Sequence, residues 1–199
     1  MMTALGVQVL LNAERLVIYA DLAAAMTIEA IQGSAKPFDE RIYELRPHPG
    51  HRDSARLIRQ MLQHSQILEA HRDCAKIQDP YSLRCVPQVH GTVRDAIKAL
   101  RQSLEIECNA VTDNPLIFPN GDVVSQGNFH GQPVSLPLDV VGIALTQLAS
   151  ISERRIDKLM NPAFSNLPAF LVREKHLEGL NSGMMIVHYT AASLVSESK

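Results

Sequence analysis

An unbroken apolar periodicity from Thr3 to Gln32 constrains the fold more than any other feature of this sequence. Apolar residues recur there at spacings of three, four and seven, and Gly33 follows where a helix should end. Such a helix is about 45 Å long, at about 1.5 Å per residue. A compact domain of 199 residues does not need that length. The pattern therefore predicts a bundle of long helices, within a chain that is part of something larger.

Similar spacings predict further helices over about Asp53–Arg72, Gln88–Asn109 and Val134–Leu159, the last apolar enough to lie deep in the structure. Between two apolar runs near residues 116–124, Asn120-Gly121 is typical of a β-hairpin with a type I′ turn. We expect an all-α fold, a long-helix bundle with this small β-hairpin excursion.

Composition and charge exclude several classes of partner. The 19 basic and 21 acidic residues are scattered and give a net charge of −2, so we expect no nucleic acid. The apolar stretch Leu136–Ile151 is interrupted by Asp139 and Gln147 and is shorter than the ~20 residues of a membrane helix, so we expect no membrane.

Cysteine and histidine spacing bears on location and metals. Cys74, Cys85 and Cys108 have no C-x-x-C spacing, which favours the reducing cytoplasm. The eight histidines form no H-x-x-x-H pair or other ligand pattern, so we expect no metal site.

Three polar residues at a spacing of three stand out: Gln78, Tyr81 and Arg84. Asp79 is a fair N-cap before Pro80, and Pro87 should end the short helix or 3₁₀ turn that begins there. One face of it would carry all three residues. An arginine fork and a phenol there suit carboxylate binding and proton transfer. The alternative is a connector in which Arg84 pairs with a carboxylate and Tyr81 packs.

Two loop clusters, residues 109–115 and 125–131, are rich in Asn and Gly. Turn chemistry explains such residues in many loops. Gly127 and Gly131, which bracket Asn128-Phe129-His130, also suit a loop pressed against a ligand.

Taken together, five segments resemble the aromatic amino acid ammonia-lyases, and most of all the branch that acts on histidine. They span nearly the whole chain in the family's order: KPFD at 36–39, RPHPG at 46–50, QDPYSLRCVPQVHG at 78–91, NAVTDNPLIF at 109–118 and GNFHG at 127–131.

The resemblance implies a helical homotetramer whose active sites are shared between subunits. It implies that Arg84 holds the substrate carboxylate, that Tyr81 assists proton transfer, that Gln78 bonds near the substrate, that Asn114 supports the prosthetic group or the substrate amine, and that Phe129 lines the pocket. The reaction that the resemblance implies is loss of ammonia from L-histidine to give urocanate.

Family members use a methylidene-imidazolone (MIO) electrophile formed from an Ala-Ser-Gly triplet, which this sequence lacks; its nearest string is Asn181-Ser182-Gly183. We therefore interpret residues 1–199 as the central helical-bundle portion, without the N-terminal prosthetic-group domain and the C-terminal part, and expect it to be inactive alone. The alternatives are a phenylalanine or tyrosine lyase or aminomutase portion, and a non-catalytic helical assembly module.

Overall fold

Helices dominate the structure, a computed structural model that describes residues 1–71 and 77–199. The helices in the described ranges are α1 (Met2–Ala30), α2 (Glu40–Leu45), α3 (Pro49–Met61), α4 (Gln66–Ala70), α5 (Tyr81–Arg84), α6 (Val86–Glu107), α7 (Gln132–Met160), α8 (Pro162–Ser165) and α9 (Met185–Ser198). Single 3₁₀ turns occupy Lys36–Phe38, Ala169–Leu171 and Lys175–Leu177, and two strands, β1 (Leu116–Ile117) and β2 (Val123–Val124), form an antiparallel pair. The expected all-α bundle with a small hairpin is confirmed.

The long helices α1, α6 and α7 match their predicted ranges closely. The prediction of a single helix over 53–72 is wrong, because the structure has the separate helix α3 there. It begins earlier, at Pro49, and ends at Met61. His64 then takes a left-handed backbone with φ of 62°, and the Ser65 hydroxyl accepts the Leu68 amide at 3.2 Å to begin α4. The N-cap signal of Ser65 divides the periodic run into two helices. Arg72, the predicted end, lies outside the described residues.

The core lies where α1, α3, α6 and α7 pack together, and two apolar clusters fill it. Glycines allow α3 and α6 to approach closely, because a Cβ on Gly50 would collide with the Gly91 carbonyl oxygen. The Gly50 amide also donates to Asp95 Oδ1 at 2.9 Å. The RPHPG and VHG motifs therefore make one helix contact, which sets the position of the segment just before α6.

α7 does not lie deep in the structure of the single chain, contrary to the prediction from its composition. Val134, Val141 and Leu148 are buried, whereas Leu136 is 56% exposed and Ile143 is 67% exposed. Only one face meets α1 and α6. By length and composition α7 could also cross a bilayer. An apolar face this large needs some further cover.

The hairpin is present, but its turn is not type I′. The Gly121 amide donates to the Phe118 carbonyl at 2.9 Å, which places Pro119 and Asn120 at the centre of the turn. Asn120 keeps a negative φ and Gly121 alone is left-handed, with φ of 91°. A turn followed by a left-handed glycine forms a three-residue hairpin loop with a β-bulge. Pro119 suits the first central position of this turn, because proline has a fixed negative φ.

Candidate active site

The short helix α5 presents the candidate residues Tyr81 and Arg84. Its N-cap is Pro80, not Asp79 as predicted, because the Asp79 carboxylate instead accepts the Ser34 amide at 2.6 Å. Pro87 lies in the first turn of α6 and therefore begins the next helix. Leu83, 1% exposed, faces the core. Loop bonding on one side and core packing on the other hold α5 against the bundle.

Arg84 directs its guanidinium along its own loop. Nε donates to the Asp79 carbonyl at 2.9 Å. Within residues 1–71 and 77–199, neither terminal nitrogen, Nη1 or Nη2, bonds to another group. The connector alternative required a carboxylate partner for Arg84, and none is present in those ranges. The bond at Nε orients the guanidinium, and its outer edge keeps two parallel donors for a carboxylate.

Tyr81 does not pack as a connector residue would, since it is 71% exposed. It lies at the edge of a groove of about 530 Å³ between α6 and α7, also lined by Val93, Ile151 and Arg154. Gln78 lines a different cavity of about 930 Å³. In the single chain the predicted trio therefore shares one segment but does not converge in one cavity.

The two Asn- and Gly-rich loops bond to one another. Asn114 Oδ1 accepts the Gln126 amide at 2.8 Å and the Ser125 hydroxyl at 3.3 Å, and Gln126 Nε2 donates to the Asp113 carbonyl at 2.6 Å. The hydrogen bonds that Asn114 Oδ1 accepts thus hold the loops together, as turn chemistry predicts. The Phe129 side chain is 62% exposed. Asn114 and Phe129 lie on one joined loop surface.

The five predicted site residues fall into two groups at opposite ends of the bundle. Gln78, Tyr81 and Arg84 precede the first residue of α6, and the loops of Asn114 and Phe129 follow its last turn. The 22 residues of α6 span about 33 Å at about 1.5 Å per residue. The two groups cannot contact the same small molecule within one chain.

A buried polar chain beneath α5 was not predicted. Asp21 and His90 are both fully buried, and Asp21 Oδ1 lies 2.7 Å from His90 Nδ1. His90 Nε2 lies 3.2 Å from Arg155 Nη1, which is also 3.4 Å from the Ser82 carbonyl of α5. The contact partners are more than 60 residues apart in sequence. The only hint in the sequence is the presence of charged residues on apolar helices.

The protonation states in this chain follow from its donors. Arginine only donates, so His90 Nε2 is the acceptor, and Nδ1 carries the proton that is donated to Asp21. Burial lowers the pKa of His90, although the hydrogen bond to Asp21 opposes the shift. Burial also lowers the pKa of Arg155, to about 10. At neutral pH His90 is therefore neutral and Arg155 charged.

We expect the pKa of His90 to make stability depend on pH. The pKa of His90 is lower in the folded chain than its ordinary value of 6.5, which applies in the unfolded chain. The unfolded chain therefore binds this proton more readily, and acid favours unfolding. The free energy of unfolding should therefore fall as pH drops below about 6.5, by at most about 1.4 kcal/mol per pH unit from this group. Denaturant titrations from pH 7 to 5 should show a shallower fall for His90→Gln than for the wild type, and parallel slopes would contradict the assignment.

Comparison with known proteins agrees with the helical architecture and the loop motifs. Residues 1–199 match the aromatic amino acid lyase family. The chain therefore belongs to that family. It is 54% identical over all 199 residues to a histidine ammonia-lyase of Myxococcus xanthus, and the match covers 39% of that protein.

Two solved structures are also similar. The histidine ammonia-lyase of Trypanosoma cruzi is 43% identical with a TM-score of 0.87, over 99% of this chain and 36% of that one. A tyrosine aminomutase of Streptomyces globisporus is 37% identical with a TM-score of 0.91, over 99% of this chain and 41% of that one. The chain thus spans about two fifths of the length of these relatives.

Proposed function

We propose that this chain is the central helical-bundle portion of a histidine ammonia-lyase, which eliminates ammonia from L-histidine to give urocanate. The observation that carries the proposal is the arrangement of α5 in a chain 54% identical to a histidine ammonia-lyase. Tyr81 is exposed, and the two terminal nitrogens of Arg84 bond to no group among the described residues. Each residue has a role that the reaction requires.

Arg84 would bind the substrate carboxylate. The bond from Nε to the Asp79 carbonyl fixes the guanidinium, so Nη1 and Nη2 can donate in parallel to two carboxylate oxygens. Fixing the carboxylate fixes the Cα–Cβ bond across which ammonia is lost. Arg84 therefore acts through orientation as well as charge.

Tyr81 would accept the weakly acidic β-proton. A phenol has a pKa of about 10, so it acts as a base near neutrality only where its anion is stabilised. Arg84, one helical turn further along α5, supplies a positive charge on the same segment. Gln78 would hydrogen-bond near the substrate from the segment that leads into α5.

Asn114 and Phe129 would complete the site from another copy of the chain. Their separation from α5 by the length of α6 leaves no other arrangement in which they meet one substrate. Large apolar residues are exposed along α1, α7 and α9, including Tyr19, Ile143 and Ile186 at more than 60%. We propose that these faces pack in a cytoplasmic homotetramer, without a membrane or nucleic-acid partner.

The residues present suit a methylidene-imidazolone group. Tyr81 offers an exposed hydroxyl, and the Asn114 amide uses only Oδ1 within the described part of the chain, so its Nδ2 can donate to such a group. When bound, the group supplies the electrophile that makes the amine a leaving group. The sequence has no Ala-Ser-Gly triplet from which to form it. These 199 residues should therefore position a substrate but not turn it over.

A direct assay tests the proposal. In a chimeric lyase, these 199 residues replace the matching 39% of the Myxococcus xanthus relative. We expect urocanate absorbance to rise when L-histidine is added to the chimera, but not when it is added to the chain alone. L-phenylalanine and L-tyrosine, followed for both cinnamates and β-amino acids, test the lyase and aminomutase alternatives.

Two outcomes would contradict the proposal. A chimera that assembles as the relative does, by light scattering, yet turns over none of these amino acids would favour the non-catalytic assembly module. Turnover of L-histidine by the chain alone, lost in Arg84→Ala, would require an electrophile within these residues.

A further inference from the structure

The helix that carries the candidate catalytic residues is too short to hold its own shape. α5 has four residues, and the Leu83 and Arg84 amides both donate to the Pro80 carbonyl, at 3.0 and 3.2 Å. Helices shorter than about 12 residues are marginal in water, because nucleation costs more than the few bonds return. The geometry of α5 must therefore be imposed by what it contacts.

Arg155 of α7 is the buried group that bonds to the α5 backbone. Its Nη1 lies 3.4 Å from the Ser82 carbonyl, and Ser82 lies between Tyr81 and Leu83. Arg155 is 3% exposed, so its charge needs partners within the protein. Ser152 Oγ, at 2.9 Å from Nη2, and His90 Nε2, at 3.2 Å from Nη1, provide them.

His90 in turn is held by Asp21 of α1. The Nδ1–H of His90 donates to Asp21 Oδ1 at 2.7 Å, which leaves the Nε2 lone pair facing Arg155. Asp21 Oδ2 accepts from Ser54 at 3.3 Å and from Arg94. The buried carboxylate therefore pairs directly with Arg94 and also orients His90, whose Nε2 lone pair accepts from Arg155.

We propose that Asp21, His90 and Arg155 form a positioning relay that fixes α5, and with it the Tyr81 phenol and the Arg84 guanidinium. The relay joins α1, α6 and α7 to the Ser82 carbonyl, which lies between Tyr81 and Arg84 in sequence. All three are buried, at 0–3% exposure, so they would act through α5 and not by touching substrate. Their effect on turnover rests on the proposed function, whereas their hold on α5 does not.

A purely structural network is the competing explanation, since buried ion pairs also set core stability. The two differ in where the damage appears. Loss of core stability raises opening throughout the bundle, whereas loss of the relay frees α5 before the rest. A matched control is Leu104→Ala, a fully buried position near the far end of α6 with no contact to the relay.

Amide hydrogen exchange of the chain tests the hold on α5 without any activity. In Arg155→Met and His90→Gln, the amides of Leu83, Arg84 and Cys85 should exchange at least about tenfold faster, with little change near α6 residue 104. Leu104→Ala, which lowers core stability without touching the relay, should instead accelerate exchange at both ends of the bundle, with no preference for α5. Equal acceleration at both ends in the relay variants, or none at α5, would overturn the proposal.

Kinetics of the chimeric lyase test the consequence for catalysis. Misplacing the groups on α5 should lower kcat for L-histidine about 10- to 100-fold in Arg155→Met, with a smaller change in KM, and Arg155→Lys should recover part of the loss. Unchanged kcat in a variant with a freed α5 would overturn the catalytic part. An inactive unmodified chimera would count against the proposed function, and the exchange result would still decide the relay.

Discussion

Arg84→Ala should lower kcat/KM for L-histidine by about 10²- to 10⁴-fold in the chimeric lyase. If Arg84 binds the substrate carboxylate as we propose, the variant loses two charge-assisted hydrogen bonds, each worth about 1.5–3 kcal/mol. Arg84→Lys should recover only part of the loss. Lysine keeps the charge but has neither the planar fork nor the Nε that donates to the Asp79 carbonyl at 2.9 Å.

Steady-state kinetics with a surface arginine as control make this result specific. Arg41→Lys changes an arginine whose side chain is 84% exposed and pairs with Asp39, so its kinetics should match the unmodified chimera. Circular dichroism of each variant verifies that the helices are intact. Wild-type kcat/KM in Arg84→Ala would show that the carboxylate binds elsewhere.

The parts of the fold that were predictable from sequence are those set by local periodicity. The run from Thr3 to Gln32 predicted α1 closely, since a 3.6-residue repeat over many turns has no alternative structure of that length. The turn signals around Pro80 and Pro87 likewise predicted a short helix or 3₁₀ turn, in which the three-residue spacing puts Tyr81 and Arg84 near one face. The division at His64 was missed because the periodicity continues across it, and only Ser65 marks the new start.

Features set by tertiary contacts were not predictable in the same way. The apolar composition of α7 predicted burial, but composition does not say whether the cover comes from the same chain, and Ile143 is 67% exposed. The relay joins residues whose separations, 69 between Asp21 and His90 and 65 between His90 and Arg155, follow no local repeat. Such pairs are fixed by how helices pack.

The division of the site between the two ends of α6 leads to the second prediction. Tyr81→Phe removes the hydroxyl that we propose as the proton acceptor, and Asn114→Ala removes the amide at the far end of the bundle. Each variant alone should lose about 10²-fold or more in kcat, as expected for loss of a proton-transfer or positioning group. If each site takes its two halves from different copies, an oligomer that mixes the variants contains some sites with both halves intact.

Co-expression of the Tyr81→Phe and Asn114→Ala chimeras measures this directly. Random mixing should restore on the order of a quarter of the wild-type rate per site, because each half of a shared site is intact with a probability of one half. The matched control is Tyr81→Phe mixed with Arg84→Ala; both changes lie on α5, so no site in that mixture is intact. A site shared between copies of this chain predicts recovery in the first mixture and none in the second. No recovery in the first, in oligomers shown by mass spectrometry to contain both variants, would contradict a site shared between copies of this chain.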